Sequence, residues 1–294
     1  MFLVYVHRLQ MLIRCELKMS IKLSLCGLLA LAACVRAQEP ISAESATQPS
    51  PGHFTLKHQF QFREYRSGNL PRGRRGDVRD LQFLSTLILG LDRDLSLSLK
   101  APVVFRRTGV RGTVDREEGF RDVSALLKWR FLRDDSSALN TTRMSLLAGA
   151  EIRTGDGALT NDGYNPMLGL ALTRIDGRHG INADLIWTFT TNGIEDPVLP
   201  GMSSADLLRY DAAYLYRLAP AKYSEDTKGA WYALAELNGS YETNGDHELF
   251  LSPGLMYEAT TWALELSLQW PVVQELDHRP ESEYAFIAGV RFSF

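Results

Sequence analysis

Cysteine is nearly missing from the chain. Of 294 residues only Cys15, Cys26 and Cys34 are cysteine, and all three lie in the first 34 positions. A chain cut after Ala37 would hold none, which excludes a disulfide, a thiol nucleophile and a thiolate metal site. Long apolar runs are missing from the body of the chain, so no helix there reaches the roughly 20 apolar residues needed to cross a bilayer. If the protein enters a membrane, it does so with strands. An excess of positive charge is missing too: 32 Lys and Arg face 35 Asp and Glu, for a net charge of −3, which argues against a nucleic-acid partner. There is no Gly-x-Ser-x-Gly elbow, no His-Glu-x-x-His and no phosphate-binding glycine loop.

What the chain does have is a period of two. In the last stretch, Glu283 to Phe294, the alternate residues Tyr284, Phe286, Ala288, Val290, Phe292 and Phe294 are all apolar or aromatic. That is a strand with one greasy face. The same rhythm begins at His53, where Phe54, Leu56, Phe60 and Phe62 oppose Lys57, Gln59, Gln61 and Arg63. It recurs through segments centred near residues 81–91, 95–105, 122–131, 143–153, 164–174, 180–191, 205–218, 229–241, 247–258 and 260–271, twelve in all with the two just described. Most exceed the five or six residues usual in a soluble sandwich and match the roughly 9–11 of a transmembrane strand. A soluble sandwich is the alternative, with the charged rows as its solvated face. The expected fold class is all-β, a transmembrane antiparallel β-barrel of about twelve strands at residues 53–294.

The connections support that topology. Asp92-Arg93-Asp94, Asp176-Gly177-Arg178 and Ala259-Thr260 are short, whereas Ser67 to Gly76, Arg107 to Glu118, Asn192 to Ser203 and Val273 to Ser282 are long and polar. Short turns on one side and long loops on the other are the habit of bacterial outer-membrane barrels. Three links break the rule. Arg133 to Thr141 and Pro220 to Lys228 are long where a short turn is expected, and Glu242 to Asp246 is short where a long loop is expected.

The N-terminus supplies an address. From Met19 the sequence offers Lys22, an apolar core from Leu23 to Ala33, and Val35-Arg36-Ala37 before Gln38, the layout of a signal peptide at residues 19–37. Residues 1–18 read as an upstream mis-assigned start. Leu31-Ala32-Ala33-Cys34 offers a competing lipoprotein cut, with lipid on Cys34. Residues 38–52, rich in Pro, Ser, Ala and Thr, read as a disordered lead-in. The expected location is the bacterial outer membrane, integral, after cleavage.

Charges within the strands fall mostly opposite the apolar series. Since an Arg or Lys on the lipid face costs about 2–4 kcal/mol at the midplane, Lys128, Arg130, Glu151, Arg153, Asp184, Glu236, Glu265 and Arg291 are assigned to the lumen. Hairpin symmetry would bring Glu265 near Arg291. A twelve-stranded barrel should have a narrow polar lumen. The histidines His53, His58, His179, His247 and His278 are scattered, and neither His247 with Ser252 nor His179 with a nearby serine is selected by spacing as a hydrolase pair. Asp156, Asn161 and Asp162 offer a weak calcium loop that is more economically read as a turn. No catalytic group, cofactor or metal is expected.

The stretches GFRDVSALLKWRF (Gly119 to Phe131), LLAGAEIRTGDG (Leu146 to Gly157) and PMLGLALTRIDGRHGINADLIWTF (Pro166 to Phe189) resemble the outer-membrane family named for the MetA pathway of phenol degradation. The likeness covers the middle third of the chain, and its motifs mark strand ends and turns, so no functional residue is carried over. It implies an outer-membrane barrel that passes small, often aromatic, solutes. The expectation is therefore a channel for passive or facilitated passage of small hydrophobic or aromatic molecules. The alternatives are a structural or adhesive envelope barrel with a plugged lumen, or a rim lipid hydrolase. The expected partners are outer-membrane lipid, a small solute, and the barrel-assembly machinery, met through the C-terminal strand ending at Phe294.

Overall fold

The alternation of apolar and polar residues produces strands throughout. The computed structural model describes residues 38–66, 76–110, 113–137, 139–195 and 197–294, and the segments read as a leader lie outside the described residues. The strands are β1 (Phe54–Tyr65), β2 (Gly76–Asp92), β3 (Leu95–Val110), β4 (Thr113–Phe120), β5 (Val123–Ser137), β6 (Asn140–Ile152) and β7 (Asn165–Asp176). They continue with β8 (His179–Thr188), β9 (Leu207–Ala219), β10 (Gly229–Glu242), β11 (His247–Ala259), β12 (Trp262–Glu275) and β13 (Ser282–Ser293). Among the described residues a 3-10 turn, Gly157–Leu159, interrupts one loop.

Apart from β4 and β5, which both pair with β3, each strand pairs antiparallel with the next, and β13 returns to β1 in a register running from Thr55↔Ser293 to Tyr65↔Ser282. The sheet is closed. β4 and β5 make one stave between them: β4 pairs with the far half of β3 (Val103 to Val110) and β5 with its near half (Leu95 to Lys100), the break falling at Arg121-Asp122. The barrel thus has the expected twelve staves. Closure of the ring is the condition for spanning hydrocarbon with strands.

The two faces of the wall separate as the sequence suggests. Leu127, Trp129, Leu168, Leu170, Leu185, Leu264, Leu266 and Trp270 are exposed on the outside, whereas Lys128, Arg130, Asp184, Glu236, Ser252, Glu265 and Arg291 are buried. In a water-soluble protein that distribution would be inverted.

Two expected loops are strand instead. Arg107 to Glu118, read as a loop because of its charge, is largely the β3–β4 hairpin. Its ionic residues meet across neighbouring strands: Arg106 holds Asp80 bidentately at 2.7 and 3.2 Å and lies 3.5 Å from Glu117, while Arg107 reaches Asp77 at 2.8 Å. Arg133 to Thr141 continues β5 into β6, with Arg143 and Arg133 both bonded to Asp135, so this link obeys the short-turn rule after all. The β9–β10 link stays long. Glu242 to Asp246 stays short, turned by Gly245 at φ 102°.

Candidate functional site

The lumen holds the chain's own lead-in. Residues 38–50 carry no regular secondary structure, yet Gln38, Ile41 and Ala43 to Thr47 are buried. This segment, expected to be disordered from its composition, is instead an ordered finger inside the barrel. The physical reason is that its backbone groups, which composition alone leaves without partners, find them on the inward side chains of the wall.

The finger starts at the short-turn end. Gly52 N–H donates to Gly90 C=O at 3.0 Å and Gly90 N–H to His53 C=O at 2.9 Å. A Cβ on Gly90 would stand 2.2 Å from the Ser50 carbonyl oxygen, so only glycine allows the close passage here. Further in, Lys128 donates to the Ser45 carbonyl and lies 3.5 Å from Glu44, and Lys100 donates to Glu44 at 2.6 Å. Ala46 N–H donates to Thr173 at 2.8 Å and Glu44 N–H to Asp184 at 2.6 Å. At the tip, Glu236 accepts from the backbone N–H groups of Ile41 at 2.6 Å and Ser42 at 2.9 Å. The chain then turns back: Glu39 pairs with Arg291, and Gln38 reaches Gly177 in the β7–β8 turn, while Asn182 donates to its carbonyl. Both ends of the finger therefore lie at the short-turn end.

Two apolar sockets complete the seat. Ile41 packs among Leu215, Tyr232, Leu234, Met256 and Ile287, and Ala46 among Leu126, Leu147, Ala171 and Ile186. Burying an isoleucine contributes on the order of 2 kcal/mol. Burial alone would push the Glu44 carboxyl up, but the ammonium groups of Lys100 and Lys128 more than offset that and hold it well below the usual carboxylate range.

The long-loop end is narrowed by the β8–β9 loop. Val198 and Leu199 pack on buried Tyr65 and Val78. Gly201 N–H and the Ser203 hydroxyl donate to Glu242 at 3.2 and 2.8 Å, and the Gly201 carbonyl accepts from Asn161 at 3.2 Å. Glu242 also accepts from Arg279 at 2.9 Å, and the same guanidinium lies 2.9 Å from Glu248. This buried cation lies between two strands of wall and ties them to the loop.

Between finger and loop lies a cavity of about 340 Å³, floored by Ile41 and Glu44 and bounded by Gln59, Gln82, Asn238, Gln269 and Pro200. A neighbouring cavity of about 200 Å³ shares Gln61, Arg63, Gln82, Pro200, Gln269 and Ile287 with it and adds Asp80 and Arg121. Amides form its rungs: Gln59 donates to the Ile41 carbonyl at 2.9 Å, Gln61 to Gln59 at 3.3 Å and Gln82 to Gln61 at 3.1 Å.

Of the residues expected in the lumen, Lys128, Asp184, Glu236 and Arg291 touch the finger directly. Glu265 lies 3.2 Å from Lys57 and 3.7 Å from Arg291, as hairpin symmetry implies. Arg130 instead holds Asp94 at 2.8 Å in the β2–β3 turn, and Glu151 accepts from Asn165 at 3.2 Å. Arg153 departs from the expectation. β6 ends at Ile152, so Arg153 stands on the rim, half exposed and paired with Asp162.

The calcium reading of that loop fails for a related reason: Asp156 accepts from Phe120 N–H at 2.9 Å, and Asn161 and Asp162 already bond Gly201 and Arg153. His247 bonds Tyr210 and His179 bonds Tyr214, each at 2.6 Å. Ser252 instead donates inward to Asn238 at 2.7 Å, so the considered His247–Ser252 pair is not assembled. What the sequence reading missed was the seat: Thr173, Asn182, and the inward-facing Leu126, Leu147 and Ile186, which alternation alone cannot distinguish from lipid-facing residues.

These features define a closed outer-membrane-type barrel with a filled lumen. Among solved structures, an outer membrane channel from Pseudomonas putida F1 is similar at a TM-score of 0.55 and 12% identity, over 87% of this chain and 100% of that one. The NanC porin gives a TM-score of 0.45 at 12% identity over 81% and 98% of the two chains. The beta domain of the Bordetella autotransporter BrkA gives 0.47 at 14% identity over 83% and 100%. At these identities the likeness is one of fold. No family model matches the chain, and no curated protein matches it.

Proposed function

We propose that this protein is an outer-membrane channel through which small, apolar or aromatic molecules pass, with residues 38–50 as a removable obstruction. The observation that carries this reading is the cavity of about 340 Å³ between the finger and the β8–β9 loop inside a closed barrel with a lipid-compatible exterior. The finger forms no strand with the wall. Each of its polar contacts with the wall involves a side chain on one partner or both, so its withdrawal breaks no strand-to-strand hydrogen bond. On this reading residues 19–37 are a cleaved leader, the last strand is the one offered to the assembly machinery, and the family of the MetA pathway is a functional analogy. The protein does no chemistry on what it passes.

A barrel permanently plugged for a structural role is the second reading, favoured by the density of contacts to the finger. Planar-bilayer recording separates the two. The full-length channel should show brief openings and a variant lacking residues 38–50 should show sustained ones. If deletion of the finger leaves conductance at the level of bare lipid, the channel reading fails.

A further inference from the structure

We infer that the cavity is built for a small organic carboxylate with an apolar body, an aromatic acid being the simplest fit; this rests on the channel reading and names its solute. The cations lining the two cavities divide into two sets. Lys57, Lys100, Lys128 and Arg291 face the finger and are engaged by it or by Glu265. Arg63, Arg121 and Arg209 lie toward the long-loop end and are not saturated. Arg121 Nε is buried without a hydrogen-bond partner, the guanidinium reaching only Gln82 at 3.4 Å; Arg209 Nε makes no hydrogen bond but lies 3.5 Å from Asp211, and Arg63 lies 3.9 Å from Glu248.

The carboxylates of that same half are already taken. Asp80 is held by Arg106 and Glu248 by Arg279, while Asp211 accepts from Asn238 at 2.9 Å. Buried guanidinium donors without acceptors are costly unless something fills them, and a carboxylate is the group whose geometry matches the guanidinium fork. The apolar surface needed by the body of such a solute stands alongside. Arg63 lies 5.1 Å above the Phe250 ring, and Leu84, Ile287 and Pro200 line the same space. A volume of about 340 Å³ falls at the small end of ligand pockets and suits a single-ring compound. A hydrocarbon would leave the open donors of these guanidiniums unanswered, and an ammonium solute would meet them head on.

The test uses the protein purified from outer membranes and reconstituted in liposomes at pH 8. Uptake of benzoate is compared with that of benzamide, which has nearly the same size and no charge, above the rates of protein-free liposomes. Benzoate should enter at least threefold faster, and in the Arg63→Gln, Arg121→Gln, Arg209→Gln triple variant the ratio should fall close to one. Equal rates in the unaltered protein, or a ratio unchanged in the triple variant, would overturn the inference while leaving a channel in place. Absence of uptake of both compounds would instead remove the channel reading on which it rests. Should the triple variant not fold, the reversal potential of the unaltered channel in a potassium chloride gradient decides: anion preference supports the assignment and cation preference sinks it.

Discussion

Glu236 holds Ile41. Its carboxylate, in the middle of β10, accepts the N–H of Ile41 at 2.6 Å and that of Ser42 at 2.9 Å, while the Ile41 side chain fills a socket lined by Leu234 on the same strand. One stretch of wall thus grips the finger by its backbone and by its only large aliphatic side chain.

Replacing Glu236 by alanine should therefore loosen the finger more than the wall. Each such hydrogen bond is worth about 0.5–1.5 kcal/mol net, so loss of the two should raise the occupancy of the open state roughly tenfold. Single-channel recording reads this as longer openings at unchanged unitary conductance. A variant that gates as the unaltered protein does would show that the finger is not held here.

Acidification should not release the finger through Glu44. Its carboxyl is depressed in the folded protein, so its contribution to docking is fully present above the ordinary carboxylate value of about 4.3 and is lost only as pH falls through the lower folded value. The effect of Glu44→Gln on open probability should accordingly be the same factor at pH 7 and at about pH 4.5. Removing the two ammonium groups in Lys100→Gln, Lys128→Gln leaves burial to act alone, and opening should then become acid-sensitive at higher pH. A flat profile in that variant would contradict the assignment.

Arg279→Gln should weaken the long-loop end. It would leave Glu242 and Glu248 as buried carboxylates without their cation. Breaking such a pair from one side costs about 3–5 kcal/mol. The expected result is a lower temperature for loss of the folded band on unheated gels, together with protease access to the loop containing Met202. Unchanged melting would place the stabilising contacts elsewhere.

Leu170→Arg tests the membrane itself. Leu170 lies mid-strand in β7 on the outer face, 45% exposed, and an arginine at the bilayer midplane costs about 2–4 kcal/mol. Denaturant titration in lipid vesicles should show that loss, whereas the same variant in detergent should lose less. Equal stability in both would argue against hydrocarbon at this face.

The wall was legible because its signal is repeated. Alternation such as Leu127, Trp129 and Phe131 against Lys128 and Arg130 is imposed by lipid on one side and polar contacts on the other, and each strand restates it. The finger was not legible for the opposite reason. Ile41 and Ala46 are single residues in a Pro- and Ser-rich stretch, and their sockets are assembled from strands far apart in sequence. The charged residues of the β3–β4 hairpin misled for a third reason: Arg106 and Arg107 look solvated until Asp80 and Asp77 are brought beside them by a neighbouring strand. Local pattern reports what a strand faces on average, not which long-range partner satisfies it.

The finger enters and leaves by the same mouth, near Gly90 and Gly177. It is a bight of rope laid into a tube, not a line threaded through it. The seam between first and last staves can therefore be sewn before the bight is pushed in or afterwards, and no knot has to be undone to draw it out. A tug on Gln38 would act as a ripcord, emptying the tube while every stitch of its wall stays in place.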